Sequence, residues 1–162
     1  MACQKEYNIK KESGETFMAI KIFVDQGHNP YGFNAGAEGF GAREQDITYI
    51  VGAYLADILA ADYRFEVATS RQNPTEILGY DTNSSLLERV DMANTWGADY
   101  FISIHVNANV NPSINGTESY VYAEGSPSYY LGTDIVQEIV RRVGTKNNGT
   151  YVRPSLYVLR RT

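Results

Sequence analysis

Apolar positions along the chain fall into two kinds of pattern. Ile22, Phe23 and Val24 stand unbroken within residues 21–25, as in a strand buried on both faces. Residues 100–106 repeat that pattern around Phe101, Ile102 and Ile104, whereas 63–69 and 117–122 alternate and predict half-buried strands. From Glu44 the period changes. Ile47, Ile50, Val51, Tyr54, Leu55, Ile58 and Leu59 recur at three- and four-residue steps, which predicts a helix with one apolar face. A second helix is predicted from Ser85, where Ser85-Leu-Leu-Glu88 matches a capping box, with Leu86, Val90, Ala93 and Trp96 inward and Gly97 at its end. A third covers 128–143, with Tyr130, Leu131, Ile135, Val136, Ile139 and Val140 as its face. Loops are predicted at 27–43, 71–82 and 107–115, a turn at 145–150, and a short apolar run at 156–159.

Strands alternating with helices imply an α/β fold: a single domain with a twisted, mostly parallel sheet flanked by helices and joined by right-handed crossovers. Residues 1–17 are polar and rich in lysine and glutamate, and read as a tail, leaving 18–162 as the domain. A length of 162 residues suits one core. Net charge is −5 and no Lys/Arg run stands out, which argues against a nucleic-acid partner. The single cysteine, Cys3, rules out a disulfide framework and a cysteine metal knuckle. No apolar run is long enough to span a membrane, and the N-terminus lacks the apolar core of a signal peptide, so a leader is absent or has been removed. Thirteen tyrosines suit a surface that stacks on sugars or peptides, and suit strands equally well.

Chemistry concentrates at three residues. His28 and His105 are the only histidines, and each follows a buried-type strand. Ligands of open α/β sheets collect beyond the carboxyl ends of strands, so parallel neighbours would bring both imidazoles to one edge. Glu44 opens the first helix, whose N-terminal dipole favours a carboxylate. Two imidazoles and a carboxylate form the ligand set of a catalytic zinc site. Two hydrogen-bonded structural histidines and a capping glutamate would leave the same pattern. The glycines of 27–43 lack the Gly-Lys-Ser/Thr ending of a phosphate loop, and a long flexible loop lining a cleft is the better reading.

Val24-Asp-Gln-Gly-His28-Asn-Pro, Ala42-Arg-Glu44-Gln-Asp-Ile, Arg89 through Ala93-Asn94 to Asp99-Tyr-Phe-Ile-Ser-Ile-His105-Val-Asn-Ala108, and Gly116-Thr-Glu-Ser-Tyr120 follow one order. In this the chain resembles the zinc-dependent N-acetylmuramoyl-L-alanine amidases of the Amidase_3 type, which include cell-wall hydrolases, autolysins and phage endolysins. The resemblance runs over 20–162, and Ser-Ile-His-x-Asn-Ala is its most specific part. Gln26 and Asn29-Pro30 stand where that family usually has Pro and Gly-Gly. It implies one catalytic Zn2+ held by His28, Glu44 and His105, and an amidase/phosphorylase-like fold. It also implies hydrolysis of the amide between N-acetylmuramic acid and L-alanine of the peptidoglycan stem peptide, at the cell wall. Asn107 and Asn109 are expected to bind substrate, and Asp25 to brace the His28 turn.

In the resembled family a general-base glutamate lies on a late strand, shortly after a Val-Leu-Arg-x-Thr run. Here Val158-Leu-Arg-Arg-Thr162 ends the sequence, so that glutamate would lie beyond Thr162 and the catalytic base is not assigned. The expectation is a domain lacking its last strand and covering helix, with an exposed apolar surface or unpaired edge. The alternative function is a zinc-containing module that binds muropeptide without cleaving it.

Overall fold

The unbroken run Ile22-Phe-Val becomes the middle strand of a parallel sheet. A computed structural model describes residues 9–12, 15–111 and 113–162, with side chains from Met18 onward. The chain forms two compact units, Met1–Val106 and Asn107–Thr162. In the first, β1 (Ile9–Glu12) and β2 (Glu15–Met18) form an antiparallel pair, followed by β3 (Ile20–Gln26). A two-residue hairpin of β4 (Glu38–Gly39) and β5 (Ala42–Arg43) then leads into α1 (Glu44–Ala60), β6 (Phe65–Thr69), α2 (Thr82–Trp96) and β7 (Tyr100–Ile104). Strand β3 lies between β6 and β7 and is parallel to both, with Ile22 opposite Val67 and Tyr100. The second unit holds β8 (Thr117–Val121), α3 (Pro127–Val143), β9 (Asn147–Val152) and α4 (Tyr157–Arg161), with β8 and β9 parallel. The expected α/β fold of parallel strands and helices is present, its parallel strands lying in two sheets, β6-β3-β7 and β8-β9. Residues 1–8, 13 and 14 of the expected tail lie outside the described residues, and the rest of it pairs as β1 and β2, where no element was expected.

Phe23 is buried, stacks on Phe101 of β7 at 5.8 Å and meets Trp96 of α2 at 6.5 Å. Full burial of a side chain of this size contributes about 1.5–3 kcal/mol. Val90 and Ala93 close the same core from α2, while Leu86 and Trp96 are only partly covered. Asp99 steers the chain from α2 into β7: its carboxylate accepts from Lys21 N at 2.9 Å and its own N–H donates to the Lys21 carbonyl at 2.8 Å.

Three expectations need correction. Most of the apolar stripe of α1 does not face the sheet: Ile47, Ile50, Val51, Tyr54 and Ile58 are exposed, Leu55 and Leu59 are half-buried, and Gln45, Thr48 and Gly52 are the buried positions. The sheet end beneath this helix is polar, and Thr48 Oγ1 donates to the Gly27 carbonyl at 2.7 Å. At Gly52 the helix lies so close to β3 that an added Cβ would stand 2.5 Å from Gln26 Cγ. The capping box of α2 sits upstream of the predicted one. Asp81 accepts from Ser84 N at 2.7 Å and Ser84 Oγ accepts from Asp81 N at 2.9 Å, while Ser85 is buried and Glu88 accepts from Gly79 N. Gly97 does end α2, in the left-handed region at φ 77°. Finally, the predicted turn at 145–150 is largely β9. Its inward contacts are hydroxyls, Thr150 with Ser119 and Thr133, which leave no apolar alternation to read.

Candidate metal centre

The ladder between β3 and β7 pairs Gln26 with Ile104, so their next residues leave the sheet at one edge. His28 comes two residues after β3 and His105 one residue after β7, and Glu44 is the first residue of α1. All three predicted ligands meet there. His28 Nε2 lies 3.0 Å from His105 Nδ1, and each of these nitrogens is 3.1 Å from Glu44 Oε1. Ligands around a divalent zinc ion stand about 2.0–2.2 Å from it and hence about 3.3 Å from one another, close to this spacing. Two imidazole nitrogens and a carboxylate converging in this way could hold a metal ion. Glu44 is nearly covered, whereas the His105 side chain is 47% exposed, which leaves the cluster open to solvent on that side.

Two of the three donors are aimed by further bonds. His28 Nδ1 meets the Asn34 carbonyl at 3.2 Å, which places the ring proton there and turns the Nε2 lone pair toward the cluster. Glu44 Oε2 accepts from Ala37 N at 3.0 Å and Oε1 from Val106 N at 2.9 Å. Burial, and then the His105 imidazole, hold His28 below its ordinary pKa. Burial pushes Glu44 up, but the N–H groups of Ala37 and Val106 outweigh it and leave the carboxyl below its ordinary value. Both shifts favour the deprotonated forms that bind metal.

Small residues make the convergence possible. A Cβ on Gly36 would stand 2.8 Å from Glu44 Cβ and 2.9 Å from His28 Cδ2, and one on Gly27 would meet the His105 ring at 2.7 Å. His28 itself adopts φ 72°, a left-handed backbone that a histidine reaches only at some energetic cost. The loop predicted as flexible is tied by its own backbone, with Asn29 N donating to the Asn34 carbonyl at 2.9 Å.

Beneath the cluster lies a buried polar layer. Asp25 takes Arg89 Nη1 at 2.5 Å and Ser103 Oγ at 2.6 Å, so it does brace the segment leading to His28. Arg89 lies buried on α2. It also donates to the carbonyls of Gln26 and His28, each at 2.7 Å. An arginine on the inner face of a helix, among apolar neighbours, was the available signal. Gln26 accepts from Ser70 Oγ and Arg71 N, and the Asn29 carboxamide pairs with both backbone groups of Leu78. Asn107 and Asn109 belong to the second unit and are exposed. Asn107 donates to Glu118, and Asn109 accepts from Asn111 N.

The sequence family N-acetylmuramoyl-L-alanine amidase (Amidase_3) matches residues 22–162. A sporulation-specific N-acetylmuramoyl-L-alanine amidase of Bacillus subtilis is 35% identical over 132 residues, 80% of this chain and 47% of the relative. The N-acetylmuramoyl-L-alanine amidase CwlM of Bacillus licheniformis is 34% identical, over 88% of this chain and 52% of its own. The chain thus spans about half the length of these curated relatives. Among solved structures, an N-acetylmuramoyl-L-alanine amidase from Clostridium difficile 630 superposes with a TM-score of 0.75 at 29% identity, over 89% of this chain and 74% of the other.

Proposed function

Because the chain belongs to the Amidase_3 family of N-acetylmuramoyl-L-alanine amidases, we propose that it hydrolyses the amide joining N-acetylmuramic acid to L-alanine of the peptidoglycan stem peptide, as a zinc enzyme acting at the cell wall. The observation that carries this reading is the convergence of His28 Nε2, Glu44 Oε1 and His105 Nδ1 to within 3.0–3.1 Å. These three residues are assigned as the metal ligands. A zinc ion held there would supply Lewis acidity, to polarise the scissile carbonyl and acidify water. The protein's own part is orientation. The Asn34 carbonyl fixes the His28 tautomer, and Ala37 and Val106 fix the Glu44 carboxylate. The open flank at His105 admits the amide. The exposed carboxamides of Asn107 and Asn109 are assigned to hydrogen bonding with the muropeptide. Among the described residues, proton transfer is given to no carboxylate: Glu44 is in the ligand set, and Asp25 is sealed by Arg89 and Ser103. Among the same residues no helix is long and apolar enough to cross a membrane.

The test is release of new L-alanine amino termini from purified peptidoglycan by the zinc-loaded protein, with His105→Ala as control. Release that vanishes in the control is expected. Zinc bound at one per chain with no release would replace hydrolysis by muropeptide binding, and absence of zinc binding would remove the metal assignment.

A further inference from the structure

The buried Asp25–Arg89 pair ties together the elements that carry the ligands. Arg89 and Asp25 are about 1% exposed, on α2 and β3 respectively. One terminal nitrogen of Arg89 reaches Asp25 Oδ1 at 2.5 Å and the Gln26 carbonyl at 2.7 Å. The other reaches the His28 carbonyl at 2.7 Å and Asn29 Oδ1 at 3.4 Å. The second carboxylate oxygen of Asp25 accepts from Ser103, two residues before His105. A single guanidinium therefore holds the main chain on both sides of Gly27 and grips His28 at its own carbonyl. That carbonyl belongs to a residue held at φ 72°, a conformation that relaxes unless something outside the turn retains it. A lysine could keep the charge opposite Asp25, but its one ammonium lacks the planar fork that bonds two carbonyls and a carboxylate at once.

We infer that Arg89 is a positioning residue of the metal centre: it fixes the left-handed backbone of His28 and, through Asp25 and Ser103, keys that turn to the strand that delivers His105. The inference rests on His28, Glu44 and His105 being the ligands. Outer partners that aim ligands in this way change metal affinity by about 10–100-fold when removed.

The experiment compares Arg89→Lys with Val90→Ala in the full chain. Val90 is the buried apolar neighbour on the same helix, and its truncation weakens the core without touching the network. Zinc affinity is measured by competition with a chromogenic chelator, and the visible spectrum of the cobalt-loaded protein reports ligand geometry. The expected result is a loss of about tenfold or more in zinc affinity and an altered cobalt spectrum in R89K. V90A should lower the melting temperature and leave both readouts at wild-type values. Should R89K not fold, Ser103→Ala deletes only the hydroxyl on Asp25 and is expected to weaken zinc binding in the same direction. Folded R89K or S103A with wild-type affinity and spectrum would overturn the role of Arg89 while leaving the metal centre intact. A wild-type chain that binds no zinc, or a His105→Ala chain that binds it equally well, would overturn both.

Discussion

At the scale of single residues, the site depends as much on what is missing from side chains as on what is present. Gly36 brings the loop against Glu44 and His28 because it has no Cβ. Gly36→Ala would push the two ligands apart, and zinc affinity should fall by about tenfold, the scale of misaligned ligands, with little change in melting temperature once metal is stripped. Chelator competition and a thermal melt in EDTA check this, and unchanged affinity would show that the loop yields. The converging residues themselves were legible in the sequence, since two histidines stood at equivalent strand ends and a glutamate at a helix start. Their supports were less so. The Asn34 carbonyl, the Ala37 and Val106 N–H groups and the Thr48 hydroxyl act through backbone geometry or across the fold, and residue type alone carries no trace of that. Gln26 and Asn29 looked like departures from the resembled family. In the structure both are buried and fully engaged, stitching the His28 turn to residues 70–78.

At the scale of elements, α2 shows how local signals compete. Both Asp81 and Ser85 are acceptable starts, and the chain uses Asp81 because Ser84 closes the box with it while Ser85 is drawn inward to accept from Asn34 Nδ2. Replacing Asp81 by alanine should therefore cost about 1 kcal/mol of stability, and Glu88→Ala, which loses only an exposed bond from Gly79 N, should cost less; the reverse order would favour the box predicted from Ser85. Urea melts of the two variants decide between them. Strand positions and helix types were readable because buried parallel strands and amphipathic helices leave strong periods. The orientation of α1 was not. Its period is sound, but hydrogen bonding at Thr48 and the close approach at Gly52 rotate the helix so that Gln45, Thr48 and Gly52 are seated and only Leu55 and Leu59 of the stripe are half-covered, and periodicity says nothing about which side meets a polar sheet end. Strand β9 was missed for a related reason, its inward positions being threonine and asparagine rather than apolar residues.

At the scale of the whole molecule, the outward stripe of α1 is the most exposed continuous apolar feature of that helix, with Ile50 at 54% and Ile58 at 69%. Such a stripe promotes association. Ile50→Lys with Ile58→Lys should reduce dye binding and self-association seen by light scattering, while stability stays within about 0.5 kcal/mol per site. Unfolding of the double variant would show instead that the stripe is packed. The order of the sheet also has a consequence in time. Among the described residues, strand β3 pairs with strands that come later in the chain, β6 after α1 and β7 after α2. His28 and Glu44 are thus synthesised well before His105, and the long loop separating the first and last donors must close before all three can meet. On the proposed ligand set, metal capture would belong to the end of folding, so a bound cation would act as a lock on the finished fold, slowing its unfolding, and not as a seed around which the chain begins to fold.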